Sequence, residues 1–137
     1  MSDYYIKHIW GPAGQQQRYP YCDQAGKAKL DFNERQEKAT CRFSECKGFL
    51  IYETSHKGGA KTIYARGVID SSEVLSHTVK VRLNMRVNPL NGVSLGMIRK
   101  IIGKPKATLQ GHGGLFPLTE DQFDALSSEL DKCLKRK

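Results

Sequence analysis

Histidines and cysteines are the side chains of this chain best suited to catalysis or metal binding, but their spacing matches no familiar pattern of either kind. The histidines are His8, His56, His77 and His112, and each stands near an expected turn or strand end. A general base among them is an open alternative, because a nucleophile and its base need only meet in space. Dispersed histidines are more often exposed residues or hydrogen-bonded core residues. The sequence therefore assigns no catalytic residue.

The cysteines predict neither a zinc site nor a disulfide framework. They are Cys22, Cys41, Cys46 and Cys133. A structural zinc site usually shows two close pairs of ligands, and only Cys41 and Cys46 are near each other. The start of the chain carries charged side chains and no continuous apolar region. We therefore expect no secretory signal, a cytoplasmic location, reduced thiols and no metal or other cofactor.

Familiar catalytic and nucleotide-binding motifs are missing from the sequence. It has no Gly-x-Ser-x-Gly elbow, no phosphate-binding loop ending in Lys-Ser/Thr, no His-Glu-x-x-His metal site and no dinucleotide fingerprint. A Gly-rich run at residues 110–114 is a weak candidate for phosphate binding and also fits a flexible connection. We therefore predict a binding module rather than an enzyme.

The net charge indicates a polyanionic partner. Lys and Arg total 22 against 14 Asp and Glu, which gives a formal charge of +8 at pH 7. Such an excess favours nucleic acid, through counterion release and electrostatic steering. Many small domains are basic for solubility alone, and that alternative stays open. Apolar stretches are short, so neither a bilayer-crossing segment nor a membrane partner is expected.

Aromatic residues near polar and basic ones give a more specific indication. Trp10 follows the first expected strand, and Tyr52 stands close to Thr54 and Ser55. Stacking on an unpaired base needs such rings, and hydroxyl, amide or backbone groups then read the edge of the base. The alternative for the single tryptophan is a place in the core.

Periodicity and turn residues predict the strands that would position these side chains. Strands are expected at 4–10, 48–54, 62–69 and 78–87, with a turn at 57–61 that makes an antiparallel hairpin of the second and third. Residues 13–45 are expected to be loop, with at most one short helix. One face of the strand at 78–87 is apolar, as the period of two requires. The candidate phosphate contacts, on its other face and on the first strand, are Lys7, Lys80, Arg82 and Arg86.

Two helices are predicted in the second half of the chain. Ser94 caps the first, which ends at Gly103, and Thr119 with Gln122 forms the capping box of the second. Strands with helices placed between and after them indicate one α+β domain over residues 1–137. We expect a small, curved, mostly antiparallel partial β-barrel with flanking helices.

Segments in a fixed order carry a resemblance to a known family: the first aromatic strand with its small-residue turn, the strand at 62–71 and three further runs. One is the run Lys47 to Ser55, and another is the strand at 78–87 with its alternating Val and Arg. The third is Gly-Leu-Phe-Pro-Leu-Thr-Glu-Asp-Gln-Phe at 114–123. These three runs resemble the Lys-x-Gly-Asp-x-x-x-x-Tyr-x-Ser strand, the long Val/Arg strand and the closing Leu-Thr-Glu-Glu-x-Phe of EVE domains. EVE domains are relatives of the YTH domains in the PUA-like superfamily.

The resemblance implies a PUA-like fold that recognises a modified base flipped into an aromatic pocket. The base is expected to be methylated or hydroxymethylated, and DNA is favoured over RNA. A separate nuclease or other effector protein is an expected partner. The resemblance assigns Tyr52, Thr54 and Ser55 to the pocket wall and the base-edge contacts. It assigns Gln110, His112 and Gly113 to a loop that closes over the base. Trp10 is added to the pocket because it stands at the end of the first strand.

A looser resemblance, to the ASCH domains of the same superfamily, implies RNA binding or RNA cleavage instead. Some ASCH domains cleave RNA with Lys and Tyr side chains around a cleft. Lys7, Lys80 and Tyr52 would be the candidates in this chain. A third alternative is a protein-binding domain whose charge is incidental.

Overall fold

A computed structural model describes residues 3–9, 29–33, 43–54, 59–73, 78–105 and 115–135 of the chain. Within them the strands are β1 (Tyr4–Ile9), β2 (Lys29–Asn33), β3 (Gly48–Glu53), β4 (Thr62–Glu73), β5 (Thr78–Arg86), β6 (Val93–Ser94) and β7 (Leu115–Leu118). The helices are the 3-10 helix η1 (Pro89–Asn91) and the α-helices α1 (Leu95–Ile102) and α2 (Glu120–Lys135). This mixture of strands and helices confirms the α+β class.

The strands form one sheet in which most neighbours are antiparallel. Its order is β2-β5-β4-β3-β1-β7, and the short β6 pairs with the start of β4. β1 and β3 are parallel, whereas every other pair in the described part of the chain is antiparallel. The mostly antiparallel sheet expected from the sequence is therefore confirmed.

The sheet is open over the described residues, so a barrel is not shown by them. β2 and β7 form its two edges, and within the described residues no pairing between them closes it. A barrel closes only when each strand has two hydrogen-bonded neighbours. Register shifts do interrupt the ladders of β4 with β3 and with β5. Bulges bend and twist a strand, but here they leave the sheet open.

The strand β2 corrects the expectation of loop at residues 29–33, whereas residues 43–44 are helical and most of residues 13–45 lies outside the described residues. It pairs antiparallel with β5, from Lys29 opposite Arg82 to Asn33 opposite Thr78. Two alternating apolar residues in five are too short a pattern to distinguish a strand from a loop. The strand depends on the edge that β5 offers, and a distant partner of this kind leaves no trace in the local sequence. β5 is consequently an inner strand.

The hairpin and the alternating strand agree with the sequence. β3 and β4 pair antiparallel, and every residue of β3 is buried, so that β3 is covered on both faces. β4 runs on to Glu73, beyond the expected end at Ile69. Along β5, Val79 and Val81 are buried, whereas Lys80 and Arg82 between and after them are exposed.

Both α-helices have the predicted caps. Ser94 Oγ accepts a hydrogen bond from the Met97 N–H at 3.3 Å, and Gly103 ends α1 with a φ of 71°. At α2, the Thr119 hydroxyl accepts from the Gln122 N–H at 3.1 Å, and the Gln122 side chain accepts from the Thr119 N–H at 3.0 Å. In the described part of the chain, neither helix has the length and apolar character needed to cross a membrane.

Core residues pack on both faces of the sheet. On one face, Tyr4 of β1 stacks on Phe123 of α2, with ring centroids 4.4 Å apart. On the opposite face, Phe43 packs edge-on against Phe49 of β3, with centroids 5.0 Å apart. Aromatic pairs of this geometry contribute beyond their buried area. The central strands are thus held between α2 and the segment around Phe43.

Candidate functional site

Three strands that run in the same direction finish at one end of the sheet. β1 is parallel to β3, and β5 shares their direction because β3 and β5 are both antiparallel to β4. Ile9 pairs with Glu53, and Arg86 pairs with Ala65, which is also the partner of Ile51. The carboxyl ends of β1, β3 and β5 therefore lie along one end of the sheet, which we call the carboxyl end.

Polar side chains are buried at the carboxyl end. Glu53 is 2% exposed, Thr54 8% and Thr62 6%. Arg86 is half-buried, and its Nη1 is enclosed without a hydrogen-bond partner among the described residues. Burial of such groups costs free energy unless they are hydrogen-bonded or serve a ligand. We call Glu53, Thr54, Thr62 and Arg86 the carboxyl-end cluster and treat them as candidate binding groups.

Residues 59–61, which lead into β4, lie against this cluster. The Ala60 N–H donates to Glu53 Oε1 at 2.7 Å. A Cβ at Gly59 would lie 1.7 Å from the carbonyl oxygen of Thr54, so only glycine permits this approach. Lys61, which is exposed, has a left-handed φ of 59°. Such a φ is uncommon for a residue with a Cβ, and residues of this kind concentrate at functional sites.

The 3-10 helix η1 is anchored at the same end. The Thr62 hydroxyl donates to the carbonyl oxygen of Pro89 at 2.6 Å. The Asn88 side chain caps η1 by accepting the Leu90 N–H at 3.0 Å. Because Thr62 pairs with Glu53, η1 stands one strand away from the buried carboxylate. These contacts bring Leu90, whose side chain is exposed, to the carboxyl end.

Tyr52 lies in the core rather than in an open pocket wall. It is 3% exposed, and alternation along β3 turns it to the face of His8, its partner on β1, and away from Glu53. Burial raises the pKa of its hydroxyl, and the positive charge of Arg99 partly offsets this rise. Stacking directly on a base requires an exposed ring. In this position Tyr52 does not form the wall of an open pocket.

Several residues predicted for the base pocket lie outside the described residues. They are Trp10, Ser55, Gln110, His112 and Gly113. Two of these positions follow directly on Ile9 and Thr54, and Ile9 pairs with Glu53. The parallel pairing of β1 and β3, which the sequence did not predict, therefore brings together the strand ends that precede Trp10 and Ser55.

The predicted phosphate contacts divide into surface and interior residues. Lys80 and Arg82 are exposed on β5, and Arg86 is half-buried. Lys7 is 1% exposed, and its Nζ lies 5.7 Å from the centroid of the Phe43 ring. An enclosed ammonium group in this position does not reach the backbone of a bound nucleic acid. Lys7 is therefore not suited to contact phosphates, unlike the exposed Lys80 and Arg82.

The candidates for RNA cleavage do not converge on one cleft. Lys7 pairs with Ile51, so its side chain and that of Tyr52 point to opposite faces of the sheet. Lys80 is exposed on β5, and β4 separates β5 from β3. Their placement gives no support to a shared catalytic site.

A long segment without acidic residues is a charge feature that the sequence analysis missed. Residues 74–119 contain 7 Lys and Arg and no Asp or Glu, whereas the rest of the chain has 15 Lys and Arg against 14 acids. The basic residues of this acid-free segment are Lys80, Arg82, Arg86, Arg99, Lys100, Lys104 and Lys106. The segment supplies the elements from β5 to β7. Counting charge in windows along the sequence would have found it.

The described residues offer no metal centre and no activated thiol. Cys46 and Cys133 are buried, and neither forms a disulfide. Burial raises the pKa of the Cys46 thiol to about 12, so this thiol is protonated at neutral pH. In the same part of the chain, no three His, Cys, Asp or Glu side chains are grouped to hold a metal ion.

Comparison with protein-family models, with curated proteins and with solved structures gave no match for this chain. The resemblance to EVE domains is therefore an expectation from the sequence alone. A functional proposal has to be argued from the chain's own charges and geometry.

Proposed function

We propose that this protein is a PUA-like domain of the EVE type that binds DNA and recognises a methylated or hydroxymethylated base flipped out of the duplex. The observation that carries the proposal is that two features meet at the carboxyl end of the sheet. Buried polar groups lie there, and so do the strand ends that precede Trp10 and Ser55.

The charge distribution supports a nucleic-acid partner. The acid-free segment holds nearly all of the excess positive charge, and it supplies both the exposed face of β5 and η1 at the carboxyl end. Exposed cations such as Lys80 and Arg82 suit phosphates, because each contact releases a condensed counterion. Phosphate contacts of this kind position a duplex without reading its sequence.

The carboxyl-end cluster supplies groups that read a base edge. Glu53 is buried and accepts the Ala60 N–H, so it positions the backbone beside these groups. The family resemblance assigns the Thr54 hydroxyl to the edge of the base, and Arg86, which is half-buried, offers its enclosed Nη1 as a donor. In a dry site these hydrogen bonds help to offset the free energy of extruding the base.

Residues outside the described ranges complete the proposal. Trp10 stacks on the flipped base, Ser55 contacts its edge, and the loop of Gln110, His112 and Gly113 closes over it. A separate nuclease or other effector protein acts on the DNA to which this domain binds. The role of Trp10 comes from its place at the end of the first strand, and the other roles come from the family resemblance.

The test is fluorescence anisotropy with short duplexes that carry 5-methylcytosine, 5-hydroxymethylcytosine or N6-methyladenine, against unmodified duplexes and RNA. We expect wild-type protein to prefer one modified DNA. Trp10→Ala and Arg86→Gln should remove the preference, whereas Lys132→Ala, whose lysine pairs with Glu129 on α2, should retain it. Loss of all binding together with loss of the thermal transition would indicate an unfolded variant instead. Equal binding of modified and plain duplexes by the wild type would refute the proposal.

A further inference from the structure

Leu90 is the most exposed of the large apolar side chains in the described residues. It is 82% exposed, compared with 43% for Leu134 and 36% for Met97. Single exposed leucines are common on protein surfaces, so exposure alone assigns no role. Leu90 differs from the other two because it is held at the tip of a turn by a fixed backbone.

Several contacts hold the turn below Leu90. Its N–H donates to Asn88 Oδ1 at 3.0 Å, and the Thr62 hydroxyl holds the Pro89 carbonyl at 2.6 Å. The proline ring itself fixes one backbone angle of the turn. A Cβ at Gly92 would lie 2.4 Å from a carbonyl oxygen of β4, so the chain leaving η1 passes directly over that strand. A side chain on such a support loses little conformational entropy when it is buried against a partner.

Beside this turn the acidic Glu53 is buried, whereas Lys61 is exposed and Arg86 is half-buried. Arg86 ends β5 just before η1. The carbonyl oxygen of Lys61 accepts the N–H of Leu95 at 3.1 Å, and Leu95 directly follows η1 and β6 along the chain. The acid-free segment contains the turn itself. An apolar tip between cations suits a polyanion with an apolar interior, and a stacked DNA duplex has this character.

We infer that Leu90 is a wedge that enters the DNA duplex and fills the space that the flipped base leaves. The inference rests on the proposed function. η1 is anchored on Thr62, the direct partner of Glu53, so the wedge and the groups that read the base lie on adjacent strands. Apolar side chains inserted between base steps unstack them, and filling the gap keeps the base from returning to the stack.

The test compares Leu90→Ala with Leu134→Ala, which truncates an exposed leucine on α2, and with Leu90→Phe, which keeps an apolar tip. The probes are duplexes carrying 5-methylcytosine, 5-hydroxymethylcytosine or N6-methyladenine next to 2-aminopurine, and the corresponding single strands. A wedge is needed only where a base must leave a stack. For the preferred duplex we therefore expect Leu90→Ala to lose about ten-fold in affinity and to lose the rise in 2-aminopurine fluorescence.

Single-strand affinity and the melting temperature should be unchanged in Leu90→Ala, and Leu90→Phe and Leu134→Ala should behave as wild type. If Leu90→Ala lost affinity equally for duplex and single strand, or for neither, the wedge would be overturned. The proposed function would still stand in that case, provided that the wild-type protein bound one modified duplex selectively. Wild-type protein that selects none of the modified probes would overturn both.

Discussion

Cys46 couples the stability of the protein to alkaline pH. Its thiol ionises near 9.0 in the unfolded chain, and burial raises its pKa to about 12 in the folded protein. Between these values the unfolded state loses a proton that the folded state keeps, so stability falls as pH rises; below pH 9 this group has no effect. We expect a loss of about 1.4 kcal/mol between pH 8 and pH 10 from this group.

Urea unfolding of wild type and Cys46→Ala at the two pH values measures this contribution. The variant should be less stable than wild type at pH 8, because the core loses a sulfur atom, but its stability should fall less between the two pH values. The buried Tyr52 adds a loss of the same sign above pH 10, since burial also raises the pKa of its hydroxyl. An identical decline in both proteins would contradict the assignment to Cys46.

Lys61 carries backbone strain at the carboxyl end. A residue with a Cβ is disfavoured at a φ of 59°, whereas glycine adopts it freely. We expect Lys61→Gly to be about 1 kcal/mol more stable than Lys61→Ala in urea unfolding. The two variants lose the same charge, so their affinities for DNA should fall equally. Equal stabilities would mean that the left-handed conformation is not kept in solution.

At the scale of single residues, the sequence predicted side chains whose role is set by near neighbours. Thr119 and Gln122 cap α2 as expected, and Lys80 and Arg82 are exposed. It did not predict that Lys7 would be buried, and it assigned the buried Tyr52 to the wall of a pocket. β1 and β3 are inner strands, and the burial of a side chain on an inner strand depends on what the rest of the chain packs against it.

At the scale of elements, the Thr62 hydroxyl joins β4 to η1. Thr62→Val keeps the shape of the side chain and removes the hydrogen bond to the Pro89 carbonyl. We expect a loss of about 1 kcal/mol and faster hydrogen exchange at the Asn91 and Gly92 amides, which hydrogen-bond to carbonyls of the same turn.

Thr119→Ala is the matched control for this prediction. It removes the hydroxyl that caps α2 and should also cost about 1 kcal/mol, without changing exchange in η1. If both variants accelerated exchange at Asn91 and Gly92 equally, the effect would follow global stability, and Thr62 would have no special part in holding the turn.

Elements set by local pattern were predictable, and elements set by distant pairing were not. The β3–β4 hairpin and the alternating β5 were expected, because glycine turns and a period of two are written in consecutive residues. β2 and the parallel β1–β3 pair were missed, since each depends on a partner far along the chain. The parallel pair is what assembles the candidate site, so its geometry could not be derived from the sequence.

At the scale of the whole molecule, the positive charge is concentrated in the acid-free segment. If Lys80 and Arg82 contact phosphates, their joint replacement by alanine should lower the slope of log affinity against log salt by about 2. The control is Lys47→Ala with Lys132→Ala, which removes the same charge from lysines that pair with Asp3 and Glu129. Equal slopes in the two double variants would show a general charge effect and no contact by β5.

The measurement that tests the central claim most directly is a competition between a modified DNA duplex and its unmodified twin for wild-type protein, at about 50 mM and about 200 mM salt. Base recognition predicts a preference for the modified duplex that persists at the higher salt, because contacts to a base release few counterions. Displacement by both duplexes at the same concentration, with affinity that collapses as salt rises, would contradict it and leave only a basic surface.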